Sequence, residues 1–155
     1  MSLSTPLTHK KAVQRIVAWM RYTRKLPVVI AELSTQNTET PDVIGFLGPG
    51  SSILVECKVS RADFLADKKK WFRREEDQGM GDVRYFAAPP GMLTPAELPE
   101  GWGLLEIHDR MVSEKKAPER KKASKRCEVK LLMSAIRRLE LSTAVFVVQD
   151  VIEEG

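Results

Sequence analysis

The spacing of apolar residues predicts three helices. One, over residues 8–24, has basic residues on one face and an apolar stripe on the other, formed by Val13, Ile16, Val17 and Met20. A second begins at Ser60, whose hydroxyl is expected to cap the first turn. Its buried stripe is predicted to consist of Phe64, Leu65, Trp71 and Phe72. A third, near the C-terminus, carries the stripe Val129, Leu132, Met133, Ile136 and Leu139.

Short apolar runs between the helices predict the strands of a sheet. They cover residues 28–33, 43–47, 53–59, 83–88 and 102–107, and residues 144–148 are a candidate final strand. One helical turn is expected at 94–98, and the basic stretch 114–126 is expected to be a solvated loop. The order of elements predicts an α/β fold in which helices pack on a mixed central sheet.

Two of these strands form a predicted hairpin around a Gly-, Pro- and Ser-containing loop at 48–52. Pairing across this loop is expected to bring Asp42 opposite Cys57 or Lys58. Because side chains alternate along a strand, Glu56 and Lys58 share one face and Cys57 points to the other. Two carboxylates and one ammonium are therefore expected to converge at the open end of the hairpin.

This set of side chains suits the hydrolysis of a phosphodiester. Asp42 and Glu56 are hard oxygen ligands for Mg²⁺, which binds proteins through one or two carboxylates and keeps several waters; Mn²⁺ is expected to substitute. The backbone carbonyl of Cys57 is a further candidate ligand, and Glu32 of the preceding strand is placed to join the cluster. Lys58 is the candidate for positioning or deprotonating the attacking water. We predict Asp42, Glu56 and Lys58 as the catalytic residues.

Composition narrows the class of protein. The 155 residues suit a single domain, expected over residues 4–153, with residues 1–3 and 154–155 as expression-vector remnants. Two cysteines cannot supply a disulfide framework, which indicates a reducing, cytoplasmic environment. No apolar run reaches the length of a membrane span, so no membrane partner is expected. The net charge of +4 favours a polyanionic partner.

Basic residues on the helix that leaves the hairpin are candidates for binding a nucleic-acid backbone. A phosphate backbone would be seated there without its sequence being read. These residues are Lys68, Lys69, Lys70, Arg73 and Arg74. The alternative is a solvated surface, as in most charged runs.

The pattern Asp42…Glu56-x-Lys58, with Pro41 before the aspartate, resembles the signature of the PD-(D/E)XK nuclease superfamily. The helix, hairpin and helix around it also occur in that superfamily's order. The resemblance is closer to the MmcB-like bacterial DNA-repair proteins and related phage proteins, and it covers about residues 10–141. It includes the stretch Ser60-Arg61-Ala62-Asp63-Phe64-x-x-Asp67-x-x-x-Trp71.

The resemblance implies a restriction-endonuclease-like core and a metal-dependent nuclease of DNA repair, recombination or phage DNA processing. The substrate implied is DNA, with RNA as the alternative, and a homo-oligomer is compatible with it. By resemblance, Glu32, Asp42, Glu56 and Lys58 carry over as the active-site set.

Two other classes of function compete with the enzyme. One is a catalytically silent nucleic-acid-binding or assembly subunit with the same fold, and the other is a protein–protein adaptor. The intact set of acids and lysine favours the enzyme, because a mere binder has no use for clustered carboxylates beside a polyanion. Asp63 and Asp67 are expected to be a helix cap and a surface charge, and Cys57 and Cys127 buried thiols. The two histidines, His9 and His108, have no motif partner nearby.

Overall fold

A computed structural model describes the protein at residues 3–31, 41–73 and 79–139. The helices are α1 (His9–Ala18), α2 (Arg61–Arg73) and α3 (Lys125–Arg138). The strands are β1 (Val28–Ala31), β2 (Val43–Gly48), β3 (Ser51–Cys57), β4 (Val83–Ala88), β5 (Gly103–Ile107) and β6 (Val112–Lys116). A π-helical turn at Trp19–Thr23 extends α1, and a 3₁₀ turn at Pro95–Glu97 follows β4.

Within the described residues, the strands form one six-stranded mixed sheet in which spatial order follows chain order. β1, β2 and β3 pair antiparallel, β3, β4 and β5 pair parallel, and β6 returns antiparallel to β5. The prediction of an α/β fold with a mixed central sheet is confirmed. The three parallel strands end at Cys57, Ala88 and Ile107, and we call this side of the sheet the carboxyl edge. Because β2 runs opposite to β3, β2 begins at the same edge.

The core consists of two apolar clusters, one on each face of the sheet. α1 packs on one face, where Ile16 and Met20 belong to the same cluster as Val55 and Cys57. On the other face, the cluster includes Leu54, Phe86, Phe64 of α2 and Leu131 of α3. The Phe64 and Phe86 rings meet edge to face with centroids 5.3 Å apart, a favoured aromatic geometry. The two clusters make the sheet the middle layer of three.

Several local predictions hold with altered bounds. The N-terminal helix is regular only to Ala18, beyond which the π-helical turn carries the chain to Thr23. Ser60 caps α2, since its hydroxyl accepts a hydrogen bond from the backbone N–H of Asp63 at 3.2 Å. The predicted helical turn near Pro95 is present. The candidate strand at 144–148 lies outside the described residues.

The prediction of a loop over residues 114–126 is wrong at both ends of this stretch. Its first residues belong to β6, which pairs with the free side of β5, and the Tyr85 hydroxyl donates a hydrogen bond to Glu114 at 2.6 Å. Burial and the contact with Glu114 raise the pKa of Tyr85. Its last residues begin α3, where the Ser124 hydroxyl accepts from the N–H of Cys127. The density of charged residues suggested a loop. An edge strand tolerates lysines, however, so this density does not exclude a strand.

The apolar stripe predicted to bury α3 is largely exposed. Val129, Met133, Ile136 and Leu139 are between 49% and 72% exposed, whereas Leu131 is fully buried. Leu65 in α2 is likewise half exposed beside the buried Phe64. None of the helices within the three described ranges is long and apolar enough to span a bilayer.

A buried polar network explains which face of α3 meets the sheet. Glu128 accepts hydrogen bonds from the Ser52 hydroxyl at 2.8 Å and from the N–H of Gly81 at 3.0 Å. Lys125 contacts both Glu128 at 2.9 Å and Asp82 at 2.7 Å. Burial opposes ionisation of Asp82, but hydrogen bonds from Lys125 and Ser52 outweigh it and lower the pKa of Asp82. These contacts tie α3 to the end of the sheet opposite the carboxyl edge.

Candidate active site

The hairpin of β2 and β3 brings the predicted site residues to the carboxyl edge. Val43 pairs with Val55, so the next position along the same register sets Asp42 level with Glu56. The sequence placed Asp42 level with Cys57 or Lys58, which is wrong by one or two residues. The strands run further into the predicted loop, and the pairing shifts by one residue between Phe46 and Gly48.

Asp42 lies between β3 and α1. Its Oδ2 accepts a hydrogen bond from the backbone N–H of Cys57 at 2.7 Å. Its Oδ1 lies 3.5 Å from Nε2 of His9, in the first turn of α1. The carboxylate is therefore held at the end of β3 while about a fifth of the side chain remains exposed. No local pattern indicated the contact with His9, because it joins distant positions through the packing of α1 on the sheet.

Glu56 and Lys58 occupy the end of β3 and the residue just beyond it. Leu54 and Cys57 belong to clusters on opposite faces of the sheet, so alternation puts Glu56 on the face of Leu54. Lys58 continues the parallel pairing, since its N–H donates to the carbonyl of Ala87 at 2.9 Å. Both residues are buried. The prediction that Cys57 points to the opposite face is confirmed.

The Lys58 ammonium forms an ion pair with the carboxylate of Asp67 in α2. The Lys58 side chain is only 10% exposed and that of Asp67 is 30% exposed. A buried ammonium is costly unless a partner compensates its charge. The expectation that Asp67 is a surface charge is therefore wrong, because α2 packs back over the end of the strand that precedes it.

A third carboxylate, Glu106, lies near the carboxyl edge on β5. The register pairs it with Ala88 of β4, and its Oε2 accepts from the N–H of Gly91 at 2.8 Å. His108 Nε2 is 3.9 Å from Oε1 of Glu106. Sequence reasoning did not single out Glu106, although it is the one charged residue in the apolar strand Gly103–Ile107. The hydrogen bond from Gly91 to Glu106 connects the loop after β4 to β5.

Arg61, at the start of α2, also contacts the loop that follows β4. It donates to the carbonyl of Met92 at 2.8 Å and pairs with Glu97 at 2.5 Å. The Arg61 guanidinium and the N–H of Thr94 lower the pKa of Glu97 to about 2. The contacts of Arg61 therefore connect the loop after β4 to α2, and both border the carboxyl edge.

The predicted nucleic-acid-binding residues are described only in part. Lys68 is half-buried on α2, and Lys69, Lys70 and Arg73 belong to the same helix by their backbone. Arg74 lies outside the described residues, as does the candidate ligand Glu32. The basic stretch after β6 lies at the other end of the sheet, where the Arg120 side chain donates to the carbonyl of Gly50 in the β2–β3 turn.

The carboxylates at the carboxyl edge are of the donor type that magnesium prefers. Within residues 3–31, 41–73 and 79–139, no group of three or more His, Cys, Asp or Glu side chains is arranged to hold a metal. Mg²⁺ does not need such a cage, because it binds through one or two carboxylates and completes its shell with waters and substrate oxygens. Asp42 and Glu56 supply two carboxylates at adjacent positions of the sheet edge.

Comparisons with known proteins identify one informative similarity. The chain is 30% identical to a solved structure, the SPO1766 protein of unknown function from Silicibacter pomeroyi, with a TM-score of 0.62. The match covers 92% of this chain and 100% of that one. No protein-family model and no curated protein matches the chain.

Proposed function

We propose that this chain, which belongs to the same family as the SPO1766 protein from Silicibacter pomeroyi, is a metal-dependent nuclease that hydrolyses phosphodiester bonds of DNA. The observation that carries the proposal is that the register of β2 and β3 puts Asp42, Glu56 and Lys58 at the carboxyl edge of the sheet. Glu56 and Lys58 are buried there, and the carboxylate of Asp67 compensates the charge of Lys58. The α/β architecture and its order of helix, hairpin and helix are compatible with a restriction-endonuclease-like core.

In this proposal Asp42 and Glu56 bind Mg²⁺, with the carbonyl of Cys57 and the carboxylate of Glu32 as further candidate ligands. When bound, the ion activates water and offsets negative charge on the phosphoryl group. The hydrogen bond from Cys57 N–H fixes one oxygen of Asp42, and its other oxygen, which lies 3.5 Å from Nε2 of His9, is the candidate ligand atom. Lys58 donates from its ammonium to the phosphate or to the attacking water, and this contact strengthens as charge develops.

A protein that only bound nucleic acid would gain nothing from these carboxylates, since they repel the phosphate backbone unless a cation lies between them. The repulsion between these carboxylates and phosphate favours the enzyme over a silent binding or assembly subunit. We place its activity in the cytoplasm, in DNA repair, recombination or phage DNA processing. There the thiols of Cys57 and Cys127, which form no disulfide, stay reduced.

The test is cleavage of plasmid, linear duplex, single-stranded DNA and RNA with Mg²⁺, with Mn²⁺ and with a chelator. We expect DNA cleavage that requires the metal. Lys58→Met should slow it by about 10²–10³-fold, the usual cost of removing a preorganised charge. Lys130→Met, which removes an exposed lysine of α3, is the matched control and should cleave normally.

Absence of cleavage of every substrate with either metal would overturn the nuclease. If that inactive protein still bound DNA at low salt, the silent subunit would be the better description. Equal cleavage by wild type and Lys58→Met would put the site elsewhere.

A further inference from the structure

We infer that Asp67 is a positioning residue for Lys58, acting on the reaction through the lysine and not by touching the substrate. The inference rests on the proposed function. It assigns a role in the site to a helix residue that the sequence suggested was only a surface charge.

The position of a lysine's charge depends on the groups around it. Lysine carries its charge at the end of a flexible four-carbon stem, without the rigid fork of arginine. A lysine that must meet a phosphate or a water in one place therefore needs another group to hold it there. The carboxylate of Asp67 does so through an ion pair with the Lys58 ammonium.

The pair of Lys58 and Asp67 lies largely out of contact with solvent. The Lys58 side chain is nine-tenths buried, so its charge would be costly without a partner. An ammonium has three N–H donors. One donor directed at Asp67 leaves capacity for the substrate while the charge of Lys58 stays compensated between reactions.

Asp67 lies on a helix that is anchored to the core of the protein. α2 begins just after β3 and Lys58, and Ser60 caps its first turn. Phe64, three residues before Asp67, anchors the helix against Phe86 in the core. Residues three apart lie on the same side of a helix, so the same packing that buries Phe64 turns Asp67 toward the sheet.

The experiment compares Asp67→Asn and Asp67→Glu with Asp63→Asn in steady-state DNA cleavage. Asp63 is an exposed carboxylate one helical turn earlier, so its change removes the same charge from the same helix. We expect Asp67→Asn to lower kcat about 10–100-fold, as loss of an orienting partner usually does. The KM for DNA and the Mg²⁺ concentration at half-maximal rate should stay near wild type. Asp67→Glu should recover part of kcat, and Asp63→Asn should match wild type.

A second readout follows Lys58 without using activity. In protein labelled with ¹³C-lysine, the Cε signal of Lys58 is identified by its disappearance in Lys58→Met. It should move in Asp67→Asn and keep its place in Asp63→Asn. A signal that does not move would overturn the inference even if cleavage fell.

Two kinetic results would also overturn it. One is a kcat for Asp67→Asn within twofold of Asp63→Asn. The other is a loss that added Mg²⁺ fully restores, which would make Asp67 a metal ligand. A wild-type protein that cleaves nothing would instead overturn the proposed function, so the two failures are distinguishable.

Discussion

The carboxylate of Asp42 accepts a hydrogen bond from the backbone N–H of Cys57, with 2.7 Å between Oδ2 and N. This single contact joins the residue that precedes β2 to the last residue of β3. It holds the Asp42 carboxylate at the end of β3, where the register sets Asp42 level with Glu56. Asp42 therefore has a structural contact as well as its proposed role in binding the metal. A variant that tests the metal role must keep the hydrogen bond from Cys57 N–H.

Asp42→Asn is expected to keep the fold and lose cleavage. The amide oxygen still accepts from Cys57 N–H, but the loss of negative charge weakens metal binding. The rate at low Mg²⁺ should fall by about 10²–10³-fold, with partial recovery in excess Mg²⁺ or Mn²⁺. Cleavage rates across a metal titration, with thermal unfolding as the check on folding, measure this. Full activity at low Mg²⁺ would contradict the role of Asp42.

The basic residues of α2 are expected to bind the DNA backbone. Replacing Lys68, Lys69 and Lys70 together with Ala should weaken DNA binding and reduce the salt slope by about 0.9 for each phosphate that the protein no longer neutralises. Binding is measured in a Lys58→Met background without metal, so that no DNA is cut. The control replaces Lys115, Lys116 and Lys122, which removes the same charge around β6. Equal slopes for the two triple variants would show that general charge, not position, attracts the DNA.

The network at the far end of the sheet is expected to make stability depend on pH. The pKa of Asp82 is lowered from 3.8, so its contribution is present above that value and is lost as the pH falls through the folded-state pKa. The pKa of Lys125 is raised from 10.5, so its contribution is complete below that value and is lost as the pH rises through the folded-state pKa. The pair therefore stabilises the fold between these two limits.

Asp82→Asn should lower the free energy of unfolding at neutral pH by about 1.5–3 kcal/mol, the usual contribution of hydrogen bonds to a charged group. The difference from wild type should shrink in acid, where Asp82 itself becomes protonated. Urea unfolding at neutral and acidic pH measures both values, with Asp63→Asn as the control. A difference that is independent of pH would mean that the charge of Asp82 is not what stabilises the fold.

Substitutions at two glycines with positive φ distinguish the cost of backbone strain from the cost of side-chain crowding. Gly50, in the β2–β3 turn, has φ of 79° and open space where a Cβ would lie, whereas at Gly81, with φ of 89°, a Cβ would lie 2.6 Å from that of Leu54. Gly50→Ala should cost about 1–2 kcal/mol of stability from conformation alone. Gly81→Ala should cost about 1–3 kcal/mol more because the core is overpacked. Equal losses in chemical denaturation would contradict the crowding.

Local sequence was enough to predict the hairpin and the edge of the sheet at which Asp42 and Glu56 lie. Strand alternation determined the shared face of Glu56 and Lys58, and the chain reversal between β2 and β3 brought Asp42 to the same edge. Both follow from the two-residue period of a strand and the geometry of a short connection, which act between neighbours in the chain. The same reasoning predicted the cap at Ser60, because a capping hydroxyl bonds within its own first turn.

Contacts between distant segments were decided only by tertiary structure. The partner of Lys58 is Asp67 because α2 packs over the end of β3, and Asp42 meets His9 because α1 lies across the sheet. β6 forms because β5 offers it an unpaired edge. α3 buries Leu131 instead of its longer apolar stripe because Glu128 and Lys125 bond to the sheet. Periodicity reports which face of an element is apolar, but the hydrogen bonds and charges of neighbouring elements decide which face becomes buried.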